Sequence, residues 1–321
     1  MKGRIGWLFC ICFCILLTTL PSYAADELTK VTLMLDWFPN ADHVPIYVAQ
    51  EKGYFTQNGL QVEILAPADP NDPLKLVAAG KYPFAVNYQP SVTIARSQDL
   101  PVKAIGVLVE HPLNTISFLK KSGIKTPEDL KGKKIGYAVA PLDVILFETI
   151  AQKAGLKKGD YELINIGFNI TPSLLSGNVD AVIGAYWNYE LNELALEGQE
   201  AGYLPLEKHG VPDFYELVFI TNDTFLQKQP KTVKQFMQAM NAALEFTTTQ
   251  PDEALAAYFA ANPEVRKELD ERAFRDTLPV FATTQQMSAE KWHRFAEFGY
   301  THGLIKKQPA AAELFQNVLE E

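Results

Sequence analysis

Cysteine is nearly absent: the 321-residue chain has three, Cys10, Cys12 and Cys14, all within the first 24 residues. A mature chain beginning after that segment has neither disulfides nor thiolate metal ligands, which an exported protein tolerates when its core is large. Histidine is also scarce, and His111, His209, His293 and His302 are scattered without ligand spacing, so no metal site is indicated. No GxSxG, GxxxxGK or HExxH occurs, which leaves hydrolase and nucleotide-enzyme readings without a motif. Positive charge is in deficit as well. Without Lys2 and Arg4, 27 basic side chains face 38 acidic ones, a formal charge of −11. That balance argues against nucleic acid or an anionic bilayer as partner and points to a small ligand.

Long apolar runs are missing beyond the N-terminus. Lys2 and Arg4 precede the run Ile5 to Leu17, and Ser22-Tyr23-Ala24 has the small-x-small form of a cleavage site. The run is shorter than the roughly 20 residues of a spanning helix. Residues 1–24 therefore read as a secretory signal cleaved after Ala24, and no cysteine adjoins that site as in an acylated lipoprotein. A soluble periplasmic protein is expected. With 47% hydrophobic residues the remainder can bury sizeable cores, in about two domains by length.

The chain is organised around VTLMLDWFPNADHVPIYVAQEKGYF, Val31 to Phe55. Val31 to Leu35 reads as a strand covered on both faces, and Asp36-Trp37-Phe38-Pro39-Asn40 follows at its carboxyl end, where open α/β sheets bind ligands. Val44, Tyr47, Val48 and Tyr54 then mark a helix stopped by Gly53. Strands follow at Leu60 to Leu65, Phe84 to Tyr88 and Val102 to Val109, separated by helices, an alternation that predicts parallel sheet. If the first and third strands are neighbours, Asn87-Tyr88-Gln89 lies beside the Asp36-Trp37 turn.

Composition breaks at Lys120-Lys121-Ser122-Gly123, and a second strand–helix series begins with TPEDLKGKKIGYAVA. Its strands are Lys134 to Val139, Glu162 to Gly167 and Val179 to Ala185, the last ending in Tyr186-Trp187-Asn188-Tyr189-Glu190. Each series thus delivers an aromatic and carboxylate cluster at a strand end. A loop at Pro205 to Pro212 and an extended run at Leu217 to Thr221 lead into a helical tail. There Val233, Phe236, Met237, Met240 and Leu244 share one face, and Trp292, Phe295 and Phe298 mark a later helix, all read as core. This predicts a hinged α/β protein of two lobes with a C-terminal helical layer. Lobe 1 is residues 25–117 and 218–321, lobe 2 is residues 118–217, and the hinges lie near Thr115 to Lys121 and Tyr215 to Thr221.

The runs LDWFPNADHVPIYVAQEKGYF and GFNITPSLLSGNVDAVIGAYWNYE, with the signal sequence, resemble the periplasmic solute-binding proteins of ABC importers for thiamine pyrimidine precursors, the ThiY-like group. The first run is shared more loosely with binding proteins for alkanesulfonates, nitrate and riboflavin; WFPN with GAYWNYE is more particular. The resemblance implies a type II periplasmic-binding fold, a formylaminopyrimidine or hydroxymethylpyrimidine ligand, no cofactor, and an inner-membrane permease as partner of a monomer. The same superfamily holds the fungal-type pyrimidine synthase, an enzyme that consumes a histidine and pyridoxal phosphate with iron and carries a CCCFC motif. This chain departs from it, having no cysteine after Cys14 and no histidine in Asn87-Tyr88-Gln89-Pro90-Ser91.

Ten side chains are candidates for the ligand: Asp36, Trp37, Asn40, Asn87, Tyr88, Gln89, Phe168, Tyr186, Trp187 and Glu190. Each has a plainer reading. Trp37 and one of the adjacent Tyr186 and Trp187 could belong to the core, Asp36 could cap its turn, and Glu190 could be a solvated first-turn carboxylate. Asn40 is read first as a helix cap, and His43 as a capping or surface residue. Asn87, Tyr88, Gln89, Phe168 and Asn169 have turn or capping duty as the alternative.

Overall fold

A computed structural model describes residues 27–319. The signal-like segment, its three cysteines and the expected cleavage site lie outside the described residues. Among the described residues ten strands form two five-stranded sheets. They are β1 (Thr29–Met34), β2 (Leu60–Leu65), β3 (Phe84–Asn87), β4 (Val102–Val109), β5 (Asn114–Leu119), β6 (Lys134–Tyr137), β7 (Glu162–Asn165), β8 (Ala181–Tyr186), β9 (Ala201–Pro205) and β10 (Leu217–Asn222). The first sheet has the order β2-β1-β3-β10-β4 and the second β7-β6-β8-β5-β9.

Within each half the strand–helix alternation gives parallel pairs, β1 with β2 and β3, and β6 with β7 and β8. The strands of each strand–helix series run the same way, as expected, while two further strands make the sheets as wholes mixed. β5 runs antiparallel between β8 and β9, and β10 runs antiparallel between β3 and β4. Both are strands that have just arrived from the other sheet, so no crossover helix dictates their direction.

The crossings also lie earlier in the chain than expected. Asn114–Leu119 and Leu217–Asn222 are fully buried strands, and the chain passes between sheets at Glu110 to Leu113 and at Leu206 to Glu216. An apolar extended run looks the same in sequence whether it spans a hinge or fills a sheet. The short strand β9, which lacked an expectation, closes the edge of the second sheet beside β5.

The helical tail packs as its apolar stripe requires. Val233, Phe236, Met237 and Met240 of the helix Pro230–Thr249 are fully buried, and Phe236 stacks between Phe55 and Phe84 at centroid distances of 5.8 and 4.2 Å. This layer clamps the helix Val44–Glu51, which packs on Pro230–Thr249 and on Pro251–Ala261. Asn40 starts the preceding 3-10 turn, its Oδ1 accepting from the Asp42 N–H at 2.9 Å. The loop after β1 is thereby fixed between its strand and the helical layer.

Candidate functional site

The carboxyl ends of β1, β3, β6 and β8, with the start of the helix that follows β7, converge on one cavity. The first sheet supplies Asp36, Trp37, Asn40, Asp42 and Tyr88; the second supplies Asn114, Val139, Asp143, Ile170, Tyr186, Tyr189 and Glu190; the second crossing supplies Glu216. β1 does neighbour β3, and the Tyr88 hydroxyl donates to Asp36 Oδ2 at 3.0 Å. The other oxygen, Oδ1, lies 2.8 Å from His43 Nε2. His43 Nδ1 accepts the Asn40 N–H at 3.4 Å, so Nε2 carries the hydrogen and donates to Asp36. His43 is a capping residue, yet fully buried rather than at the surface.

Five carboxyl groups line the cavity, Asp36, Asp42, Asp143, Glu190 and Glu216, with no lysine, arginine or histidine among its walls. Each is nearly or fully buried. Burial pushes the Glu190 and Glu216 carboxyls up to about 8, Asp143 to about 7 and Asp42 to about 6, against the opposing pull of their hydrogen bonds. Those bonds are local. Glu190 accepts the Tyr186 N–H at 2.6 Å, and Asp143 Oδ2 accepts those of Ala138 and Val139 at 3.1 and 2.8 Å. Glu216 accepts the Leu113 and Asn114 N–H groups at 2.7 and 2.9 Å and the Tyr186 hydroxyl at 3.1 Å, tying one crossing to the other. Burial, then the neighbouring Asp36 and Glu216 respectively, holds the phenols of Tyr88 and Tyr186 far above their ordinary range, so both act as donors.

Six of the ten candidates line this cavity: Asp36, Trp37, Asn40, Tyr88, Tyr186 and Glu190. Of the adjacent pair, Tyr186 faces the cavity, while Trp187 turns away and its Nε1 donates to the Pro112 carbonyl at 3.1 Å. Gln89 is fully buried elsewhere, accepting from the Tyr215 N–H and donating to the Lys291 carbonyl. Asn87 lines a neighbouring cavity, because side chains alternate at the end of β3 and Tyr88 takes the inward place. Phe168 stands behind the wall, edge-on to Trp37 at 4.4 Å.

Trp37 satisfies both of its readings. It lines the cavity, and it also packs against the apolar cluster of the second half around Ile166 and Ile170. Further contacts join the halves. Asn71 accepts the Ala140 N–H at 2.8 Å, Asn188 donates to Asp42 at 2.7 Å, and Asn192 donates to Asp276 at 2.7 Å.

Asp42, Asn114, Asp143, Tyr189 and Glu216 escaped the sequence reading. Asp143 had a signal, since it is an acid just after a strand that ends like β1 and β8. Tyr189 sat in a cluster already marked. Glu216 had none, being an isolated acid in a connection. Among the described residues no group of three or more potential ligands is placed to hold a metal ion, and no helix is long and apolar enough to cross a membrane.

The chain and its fold have counterparts among known proteins. The NMT1/THI5-like family profile matches residues 40–254. A putative thiamine biosynthesis protein of Haemophilus influenzae is 42% identical, covering 93% of this chain and 94% of that one. The formylaminopyrimidine-binding protein of Halalkalibacterium halodurans is 34% identical over 92% of both chains. A 4-amino-5-hydroxymethyl-2-methylpyrimidine phosphate synthase of Saccharomyces cerevisiae, THI13, is 30% identical over 84% of this chain and 82% of its own. Among solved structures, the alkanesulfonate-binding protein SsuA of Xanthomonas axonopodis pv. citri superposes with a TM-score of 0.72 at 17% identity, over 91% of this chain and 99% of that one. At that identity the likeness is one of fold: the two-lobe α/β fold of periplasmic binding proteins.

Proposed function

This chain belongs to the NMT1/THI5-like family, and from that premise we propose that it is an extracytoplasmic solute-binding protein that captures a thiamine pyrimidine precursor for an ABC importer. The carrying observation is the cavity wall, with five carboxyl groups and four aromatic side chains, Trp37, Tyr88, Tyr186 and Tyr189, and no cation. A flat ring packs on the aromatic side chains, where an aromatic pair adds about 0.5–1.5 kcal/mol beyond area burial. An aminopyrimidine edge offers an exocyclic N–H beside a ring nitrogen, and a carboxylate accepts from the amine and from the ring nitrogen when that is protonated.

The same wall disfavours the other ligand classes. An alkanesulfonate or nitrate entering it finds no cation on the wall to balance its charge. The synthase reading gains nothing from it either. No lysine lines the cavity to meet an aldehyde, no cation holds a phosphate, the described residues contain no cysteine, and the nearby His43 is committed to Asp36 and Asn40. The N-terminal signal supports export, and the permease would recognise both halves of a monomer.

Mass spectrometry of ligand released from the purified protein, with calorimetry on the formylaminopyrimidine and the hydroxymethylpyrimidine, tests the reading. Recovery of a pyrimidine is expected. Recovery of a flavin or a sulfonate instead, or turnover of a bound pyridoxal cofactor, would refute it.

A further inference from the structure

Asp42 is the wall residue with the strangest hydrogen-bond account. It is 1% exposed and reaches the cavity from the loop after β1. Its Oδ1 is fully engaged, lying 2.7 Å from Asn188 Nδ2 of the opposite half and 2.9 Å from the Thr277 hydroxyl of the helical layer. Its Oδ2 is buried with no protein partner. Two of the other acids differ. Asp36 spends both oxygens on His43 and Tyr88, and Glu216 spends both on Tyr186 and the backbone of Leu113 and Asn114. A buried acceptor without a donor is unfavourable until something supplies one.

Asn188 lies in the same turn that presents Tyr186, Tyr189 and Glu190 to the cavity. It is fully buried, and its Nδ2 also lies 2.7 Å from the Thr277 hydroxyl. Thr277 ends the helix Lys267–Thr277, which runs along the seam against the helix Glu190–Leu196. Beyond this node the seam continues through Asp276 with Asn192 and Arg266 with Glu197, both exposed pairs of the kind that contribute little. The node of Asp42, Asn188 and Thr277 is therefore a buried meeting point of the halves beside the cavity.

We infer that Asp42 couples capture to closure: its Oδ2 accepts an N–H of the bound pyrimidine while its Oδ1 holds Asn188 of the opposite half. The inference rests on the pyrimidine reading and adds to it a specificity residue with a second duty. A ligand donor completes the hydrogen bonding of a carboxylate that is already holding the lobes together, so the ligand stabilises the closed arrangement more than the open one. By reciprocity, closure raises affinity for a ligand that carries the donor and does little for one that lacks it.

The test uses the whole protein, calorimetry with the formylaminopyrimidine, and small-angle scattering with and without it. Asn188→Ala touches no wall of the cavity, yet it should weaken binding about ten-fold, within the usual range of coupling between sites, and reduce the ligand-induced compaction. Asp42→Asn, checked for folding by circular dichroism, should weaken binding at least as much, and the double variant should fall short of the sum of the two losses. Arg266→Ala, at the exposed end of the seam, should change affinity less than about two-fold. A wild type that binds the pyrimidine while Asn188→Ala binds and compacts like it overturns this inference alone. A wild type that binds no pyrimidine overturns the proposed function, and this inference with it.

Discussion

Glu190 holds the Tyr186 N–H with one oxygen and presents its carboxyl group to the cavity, so the acid can be replaced by an amide without moving the turn. If it accepts the exocyclic amine of a 4-aminopyrimidine, an oxo group in that place removes the donor and sets two acceptors face to face. A site built for a specific N–H rejects such analogues by large factors. Calorimetry should therefore show the wild type preferring the amino over the oxo compound by at least about 100-fold, with Glu190→Gln weakening the amino compound and narrowing the gap. Equal binding of both compounds by the wild type would remove Glu190 from this role. For Trp37, replacement by alanine removes one wall of the cavity and should weaken binding by about ten-fold, on the order of 1.4 kcal/mol. Ligand should also change tryptophan fluorescence in the wild type; unchanged affinity in a folded Trp37→Ala protein would leave the residue only its packing on Phe168 and Ile170. That Asp36, Trp37, Tyr186 and Glu190 share a cavity wall was legible in the sequence because polar and aromatic side chains stood directly after apolar strands. Glu216 and Asn114 were not, since their place depends on two crossings that meet only in three dimensions.

Elements were legible in proportion to how local their cause is. Strands β1 to β4 and β6 to β8 came from short apolar runs bounded by turn residues, and the tail helices from their stripes. The antiparallel insertion of β5 and β10 came from nowhere in the local pattern, because strand direction in a mixed sheet is decided by where the chain has come from. One glycine shows how tightly β8 is fitted to the site. Gly184 has φ of +97°, and a Cβ there would stand 2.7 Å from Asp143 Oδ2, the atom that accepts the Ala138 and Val139 N–H groups. Gly184→Ala strains the backbone and pushes the Asp143 carboxyl from its two donors. A loss of about 1–3 kcal/mol is expected, seen as a fall in melting temperature of several degrees together with weaker ligand binding. A melting temperature and affinity equal to wild type would show that the β8 end tolerates a side chain and that Asp143 does not depend on it.

At the scale of the whole molecule, the halves close over a set of acids with no lysine, arginine or histidine on the same wall, and the ligand-free protein must hold that set out of water. The consequence is a dependence of stability on pH with a definite sign. Glu190 and Glu216 are raised to about 8 from an ordinary 4.5, Asp143 to about 7 and Asp42 to about 6 from 3.8, in each case chiefly by burial. Between those limits the folded chain binds more protons than the unfolded one, so stability falls as pH rises. What these groups contribute is fully present below about pH 4 and is lost progressively up to about pH 8. The ligand-free protein should therefore melt lower at pH 8.5 than at pH 5.5, by at least about 3 °C for a chain of this size, and Glu190→Gln should flatten part of that slope. An aminopyrimidine that donates to these groups favours their ionised form, so its stabilising effect should grow over the same interval and narrow the difference between the two pH values. Differential scanning calorimetry at both pH values, with and without the formylaminopyrimidine, reads both slopes. A ligand-free melting temperature that is flat or rises with pH would mean that the buried acids lose nothing on ionising, and the cavity would no longer call for a ligand that brings hydrogen-bond donors to its carboxylates.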